Sequence, residues 1–404
     1  MIADGYPVAA LALFVLALKT LSQQKALAKL FHWLPIPLWC YLVPMTAVTL
    51  GWLPAASPYY KIASDFLLPL ALGLLLIGVD LASVLRTGKP ALLSTAVGAL
   101  AVMAGAIIGV RLLQPWLPEE AWKGAGALSA TWTGGTMNLL AIRAMLLPPE
   151  AVFSPLILVD ALVAYSWMAL LIGLSPHQQA LNRWLLGSRK DAIATTHSLA
   201  SDGISDAKPR DDKFHQESCG DGLPAPKRLL WSKPAAAFTL SLGIALACRL
   251  LARALPSTEI MRSAMAWTVL LVTTVSLSLA SVPSLRKLGR HGEKIGTSLL
   301  YLILALAGAQ ASLSALSSAP AWLGVGAIVL LLHGGALLTI GKMRGIPLNI
   351  LATSSQANIG GFVSAPMVGA IYHPSLAPVG LLLAIGCNAV GTYLGLITAT
   401  LCRI

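Results

Sequence analysis

Apolar residues run along this chain in blocks about as long as a bilayer is thick, separated by short polar stretches. Roughly 20 apolar residues, rising 1.5 Å each, match a hydrocarbon core about 30 Å thick. Such blocks fall at about 6–21, 36–52, 66–85, 90–113 and 152–175, and again at about 234–255, 264–282, 295–316, 320–341 and 375–401. Before the last block of each set lies a segment, 121–147 and 347–372, that is hydrophobic yet interrupted by a Gly-Gly pair among hydroxyls and carboxamides. The pattern predicts an all-α polytopic membrane protein.

The two sets read as repeats offset by about 230 residues. Leu76-Ile77-Gly78-Val79-Asp80, with Pro90 further on, lines up with Leu306-Ala307-Gly308-Ala309-Gln310 and Pro320 at the same spacing. After each Gly-Gly segment comes Asp160-Ala161-Leu162-Val163-Ala164-Tyr165 or Asn388-Ala389-Val390-Gly391-Thr392-Tyr393. The expected organisation is a first membrane repeat over 1–175, a polar cytoplasmic linker over 176–233 and a second repeat over 234–404. The linker is rich in charge, Ser, Gly and Pro with little apolar periodicity, which argues against a third domain.

Loop charges set the orientation, because Lys and Arg favour the cytoplasmic side. Lys19, Lys25 and Lys29 put the first loop inside, as do Arg86 and Lys89 for the third. Arg183, Arg189, Lys190, Lys227, Arg228 and Lys233 put the linker inside, which requires 121–147 to return to the side it entered. Arg286, Lys287, Arg290, Lys294, Lys342 and Arg344 fall inside on the same reading, and Arg249, Arg253 and Arg262 count against it. The balance predicts two inverted repeats, each of five transmembrane helices plus one re-entrant hairpin. An arm of about 12 residues rises roughly 18 Å, so tips entering from opposite faces would meet near the midplane.

Composition sharpens the class. Of 404 residues 56% are hydrophobic and 11% charged, against about 25% charged in soluble domains. The net charge of +12 sits at helix ends and in the linker, without an aromatic-studded patch, so lipid headgroups are the expected neighbours and nucleic acid is not. The run Tyr6–Leu18 lacks a basic leader and a cleavage site, predicting a retained first helix. Cys40, Cys219, Cys248, Cys387 and Cys402 are scattered and form no disulfide framework.

Thr131-Trp132-Thr133-Gly134-Gly135-Thr136-Met137-Asn138, paired with Asn358-Ile359-Gly360-Gly361 and accompanied by Asp80 and Asp160, resembles the domain-of-unknown-function family 819 of integral membrane proteins. The resemblance covers nearly the whole chain outside 176–233. That family is similar in layout to inverted-repeat elevator carriers such as sodium/glutamate symporters and 2-hydroxycarboxylate carriers. The resemblance implies an ion-coupled carrier of the bacterial cytoplasmic (inner) membrane, with a homodimer as its candidate assembly. Gln310 stands where the first repeat has Asp80, so the halves need not contribute equally.

Broken backbone at membrane depth is tolerated only inside protein or beside a water-filled cavity, and paired Gly-interrupted segments point to a transporter site. The candidate solute-binding residues are Thr133, Gly134, Gly135, Thr136 and Asn138 at one tip and Ser355, Asn358, Gly360, Gly361 and Ser364 at the other. Small residues alone suit helix packing, but packing does not account for Asn at membrane depth in both halves. Asp160, in an apolar helix, must be protonated, paired or ion-bound, since a central carboxylate costs about 2.5–3.5 kcal/mol. It is the leading ion-coupling candidate, followed by Asn388, Asp80 and Gln310, with Arg86 as a structural partner for Asp80. Arg143 is read as snorkelling, although it could clamp a carboxylate. His333 and His373 are read as structural, and His215 with Cys219 as too few for zinc.

The expected activity is secondary active transport of a small polar, anionic solute: an amino acid, a hydroxy- or dicarboxylate, or a small peptide. Sodium or protons would drive it, with no organic cofactor and no metal beyond sodium. A membrane-embedded enzyme using Asp80 and Asp160 is the competing class, but aspartyl chemistry needs the two carboxylates about 3 Å apart. A channel is the third. No nucleotide-binding loop or hydrolase motif is present.

Overall fold

The computed structural model describes residues 6–24, 27, 31, 36–54, 57–186, 233–258, 263–311 and 313–403. Lys25, Lys29, Arg189, Lys190, His215, Cys219, Lys227, Arg228 and Arg262 lie outside the described residues, as does most of the linker. Among the described residues every regular element is a helix. The first half comprises α1 (Tyr6–Leu21), α2 (Ile36–Thr49), α3 (Pro58–Leu76), a short α4 (Leu81–Leu85), α5 (Lys89–Leu112), the pair α6 (Ala121–Gly134) and α7 (Thr136–Leu146), and α8 (Glu150–Leu174). After α9 (Gln178–Leu186) the second half runs α10 (Lys233–Ala252), α11 (Ala264–Ala280), α12 (Pro283–Gly289), α13 (Glu293–Gly308), α14 (Ala319–Arg344), the pair α15 (Leu348–Ile359) and α16 (Gly361–Tyr372), and α17 (Leu376–Arg403).

Six helices among the described residues are long and apolar enough to cross a membrane, and the pair Ala264–Ala280 and Pro283–Gly308, bent by 118°, makes a seventh if counted as one span. The protein is therefore an all-α polytopic membrane protein. The expected blocks at 6–21 and 36–52 form helices of only 16 and 14 residues. Residues 178–186, at the start of the expected linker, are helical, with Leu185 and Leu186 buried.

The block expected at 66–85 is displaced. Helix α3 starts earlier, at Pro58, and stops at Leu76, so Asp80 lies in a break and not within a helix. Its carboxylate accepts from the Ser83 N–H and caps α4, a role that stabilises a helix start by about 1 kcal/mol. Helix α13 likewise stops at Gly308 and leaves Gln310 outside it. Both α5 and α14 then begin with proline in the first turn, where a missing N–H costs nothing. The aligned motifs thus adopt one structure in both halves: helix end, break, proline-led long helix.

Both Gly-Gly segments are helix–break–helix hairpins. In a straight helix, residues eight apart stand about 12 Å from each other. Gln356 Nε2 nevertheless donates to Ser364 Oγ across the second tip at 2.9 Å. Lys123 Nζ reaches the Leu147 carbonyl at the base of the first hairpin at 3.3 Å. The turns fall at Gly135 (φ +83°) and Gly361 (φ +74°), the second glycine of each pair, in a left-handed region that disfavours side chains.

Helix α8 shows how the hairpins are opposed. At its start Glu150 pairs with Arg143 of the first hairpin. Near its other end the Leu171 carbonyl accepts from Tyr372 Oη of the second hairpin at 2.6 Å. Those two points lie about 32 Å apart along the helix. Helix α17 repeats the arrangement: Gly380 abuts Ala365 of the second hairpin, and Gly395 with Ala399 abuts Gly126 of the first. The hairpins approach from opposite ends and their tips overlap at mid-height. Helices α5 and α14 pack against each other at glycines, where a Cβ on Gly105 would stand 2.8 Å from the Val329 Cα.

Candidate functional site

Mid-α17 carries both tips. Asn138, three residues beyond the first glycine turn, donates through Nδ2 to the Asn388 carbonyl (3.2 Å), Asn388 Oδ1 (3.1 Å) and the Gly134 carbonyl (2.7 Å). Its Oδ1 accepts from the Thr392 hydroxyl. One residue before Asn388, Cys387 Sγ donates to Asn358 Oδ1 at 3.0 Å, while Asn358 Nδ2 donates to the Thr95 carbonyl of α5 at 3.0 Å. Both tip asparagines are buried and committed to protein partners, so in this conformation they fasten the tips to the spans.

The remaining predicted residues divide by tip. Thr133 folds back onto the Ser129 carbonyl, and Thr136 is half-buried at the start of α7. Gly134 packs against Gly391, with a hypothetical Cβ 3.0 Å from the Gly391 Cα. Ser355 takes hydrogen bonds with Trp167 Nε1 (2.8 Å) and His333 Nε2 (2.8 Å). His333 Nδ1 in turn faces the Gly98 carbonyl at 3.0 Å. Since a carbonyl only accepts, Nδ1 carries the proton and Nε2 accepts from the serine. His333 is thus a buried, satisfied tie between α5, α14 and α15, as its sequence setting suggested.

Gly360 and Ser364 open onto a cavity of about 120 Å³ between the second tip and α8, lined also by Phe31, Ala164, Tyr165, Met168, Gln356 and Met367. Gln356 is 1% exposed, and its Oε1 has no hydrogen-bond partner among the described residues. A Cβ on Gly360 would stand 1.9 Å from Gln356 Nε2 and 2.0 Å from Ser364 Oγ, so only glycine lets that pair close the tip.

Asp160 sits one turn before Ala164 on α8, half-buried, and its Oδ1 accepts from Trp132 Nε1 of the first tip at 2.9 Å. Asp80 is elsewhere. It pairs with Arg286 (3.0 Å) and Arg290 (3.5 Å), not with Arg86. Burial raises its carboxyl, but the Ser83 hydrogen bonds and the two guanidiniums outweigh it and hold the pKa below the ordinary carboxylate value. A lowered folded-state pKa stabilises above the unfolded value and is lost as pH falls through the folded one. Asp80→Asn is therefore expected to lower the melting temperature at neutral pH, with the gap narrowing below about pH 4. A constant gap across a pH series would remove the ion pair from the account.

Gln310 Nε2 bonds back to the Leu306 carbonyl at 2.8 Å. Arg143 pairs with Glu150 and lies 4.4 Å over the Phe153 ring. The sequence reading missed Gln356, Trp132, Ala164 and Tyr165. Gln356 carried the signal used for the asparagines, a carboxamide at membrane depth. Trp132 stands in the quoted tip motif but was given no role, and Ala164 has no signal of its own.

The profile of the family described as "Protein of unknown function (DUF819)" matches residues 9–403. The chain belongs to the DUF819 family. It is also similar to the "Uncharacterized membrane protein YjcL" of Bacillus subtilis (strain 168), 23% identical over 358 residues that cover 87% of this chain and 86% of the relative. The match spans both hairpins and the helices that hold them, so the resemblance read from the paired tip motifs extends over the whole DUF819 region.

Proposed function

We propose that this DUF819 protein is a secondary active transporter, an ion-coupled carrier of elevator type for a small polar, anionic solute bound at the hairpin tips. The observation that carries the reading is the convergence of two opposed, broken hairpins on adjacent residues of α17, Cys387 and Asn388, beside a cavity. Opposed re-entrant tips divide a membrane into two half-paths that meet at one polar level, which suits alternating access. Elevator motion would carry the hairpins with α8 and α17 past the remaining spans. Asp160, hydrogen-bonded to the first tip and one turn from the cavity, is the group whose charge sodium or a proton would neutralise; Asn388, its repeat mate, is the second candidate. Asp80 and Gln310 stand at the helix breaks, and their contacts favour structural roles. The bacterial inner membrane is the expected location and a homodimer the candidate assembly.

An enzyme built on Asp80 and Asp160 finds no support, because Asp80 is engaged by Arg286 and Arg290 and Asp160 by Trp132. Proteoliposomes holding the purified chain are expected to concentrate labelled solute under an imposed sodium or proton gradient, and to stop when the gradient is collapsed. Flux that only dissipates the solute gradient would replace the carrier with a channel.

A further inference from the structure

We propose that the cavity between the second hairpin tip and α8 is the solute subsite and that it takes a small zwitterion of amino-acid type. The proposal rests on the carrier reading and narrows its substrate class. Its first support is a broken symmetry. Aligning Gly134-Gly135 with Gly360-Gly361 sets Asn138 against Ser364, and aligning Asp160 with Asn388 sets Ala164 against Thr392. Where the first tip meets α17, Asn138 and Thr392 hydrogen-bond and close the contact. Where the second tip meets α8, the smaller Ser364 and Ala164 both line the cavity. One junction is filled and its mate is hollow.

The second support is chemical. Helix α16, 12 residues long, begins at Gly361 on the cavity's edge, and its first-turn N–H groups lack intrahelical acceptors. They suit a carboxylate. Gln356 Oε1, buried and unpartnered, needs a donor, and its place at Ala130 in the first half is taken by a methyl group. The Asp160 carboxylate stands on the same face of α8 as Ala164, since residues four apart align on a helix. A negative group at the α16 terminus and a positive donor towards Gln356 and Asp160 satisfy all three.

The other solute classes fit less well. Among the described residues no Lys or Arg lines the cavity, so they leave the second charge of a dicarboxylate uncompensated. Its volume of about 120 Å³ lies well below the roughly 300–1,000 Å³ of drug-sized ligand pockets, which favours a small solute over a peptide. Ala164, Met168 and Met367 leave an apolar wall for a short side chain.

The test is ligand-induced thermal stabilisation of the purified full chain with glycine, L-alanine, L-serine, lactate, succinate and alanyl-alanine, each with and without sodium. At least one of the three amino acids is expected to raise the melting temperature saturably, with lactate, succinate and the dipeptide at least tenfold weaker. The double variant Ala164→Thr with Ser364→Asn, which copies the filled junction, is expected to melt no lower than wild type without ligand and to lose the shift. Should it not fold, Ala164→Val alone carries the same expectation of at least tenfold weaker binding. Preference for lactate or succinate, or an unchanged shift in a folded cavity-filled variant, would overturn the proposal. Amino-acid binding without gradient-driven uptake in proteoliposomes would overturn the carrier reading and leave the subsite standing. Uptake of a dicarboxylate with no amino-acid binding would do the reverse.

Discussion

Asp160→Asn is expected to abolish gradient-driven accumulation and to leave solute exchange weakened but present. A carboxylate halfway along an apolar span is tolerable only while something neutralises it, at a cost of about 2.5–3.5 kcal/mol otherwise. One indole N–H from Trp132 is a neutral donor and leaves the charge itself uncompensated, so an ion must share the site whenever Asp160 is ionised. Asparagine keeps an oxygen for the indole and nearly the same shape, but neither titrates nor attracts a cation. The tip should hold its geometry and the protein its fold. What should disappear is the dependence on the ion: internal solute would rise only to the external level, whatever gradient is imposed. In a sodium-coupled protein, sodium-dependent ligand stabilisation vanishes in the variant; in a proton-coupled one, the pH dependence of uptake vanishes. Normal accumulation by Asp160→Asn would make Asp160 a neutral structural acid and send the search for coupling to other groups.

How much of this was legible in the sequence depends on how local the signal was. The hairpins were legible because a glycine pair inside an apolar segment is a local instruction: the turns fall at Gly135 and Gly361. The aligned motifs around Pro90 and Pro320 were legible because each encodes one local event, a helix end followed by a proline-led start. Partnerships were not. Asp80 was read against Arg86, its neighbour in sequence, yet it bonds Arg286, 206 residues away, because the elbow at α12 brings Gly289 against Gly78. The tip asparagines were read as ligand-facing because polarity at membrane depth shows that a partner exists, not which one. The hollow at Ala164 was invisible for a related reason: a cavity is set by what two distant segments both lack.

Asn138→Ala is expected to be the most destabilising of the tip substitutions, and its effect should be repaired by a second loss. The alanine would orphan the Thr392 hydroxyl and Asn388 Oδ1, both now satisfied by one buried carboxamide. A buried group left unpaired costs about 1–3 kcal/mol, whereas removing both partners can be nearly neutral. Thr392→Ala removes the orphaned hydroxyl, so the double variant should be less unstable than the sum of the single ones, by an interaction of about 0.5–3 kcal/mol. Melting temperatures of the four proteins in one detergent give the sign of the coupling directly. The same cycle at the other junction, Ser364→Ala with Ala164→Gly, should show little coupling, because no bond closes that contact. Additive effects at Asn138 and Thr392 would mean that the first tip is held by packing alone. The contrast between a filled and a hollow junction would then lose its energetic basis. Coupling confined to the first junction instead fits a tip that stays fastened to α17 while the second tip encloses the solute.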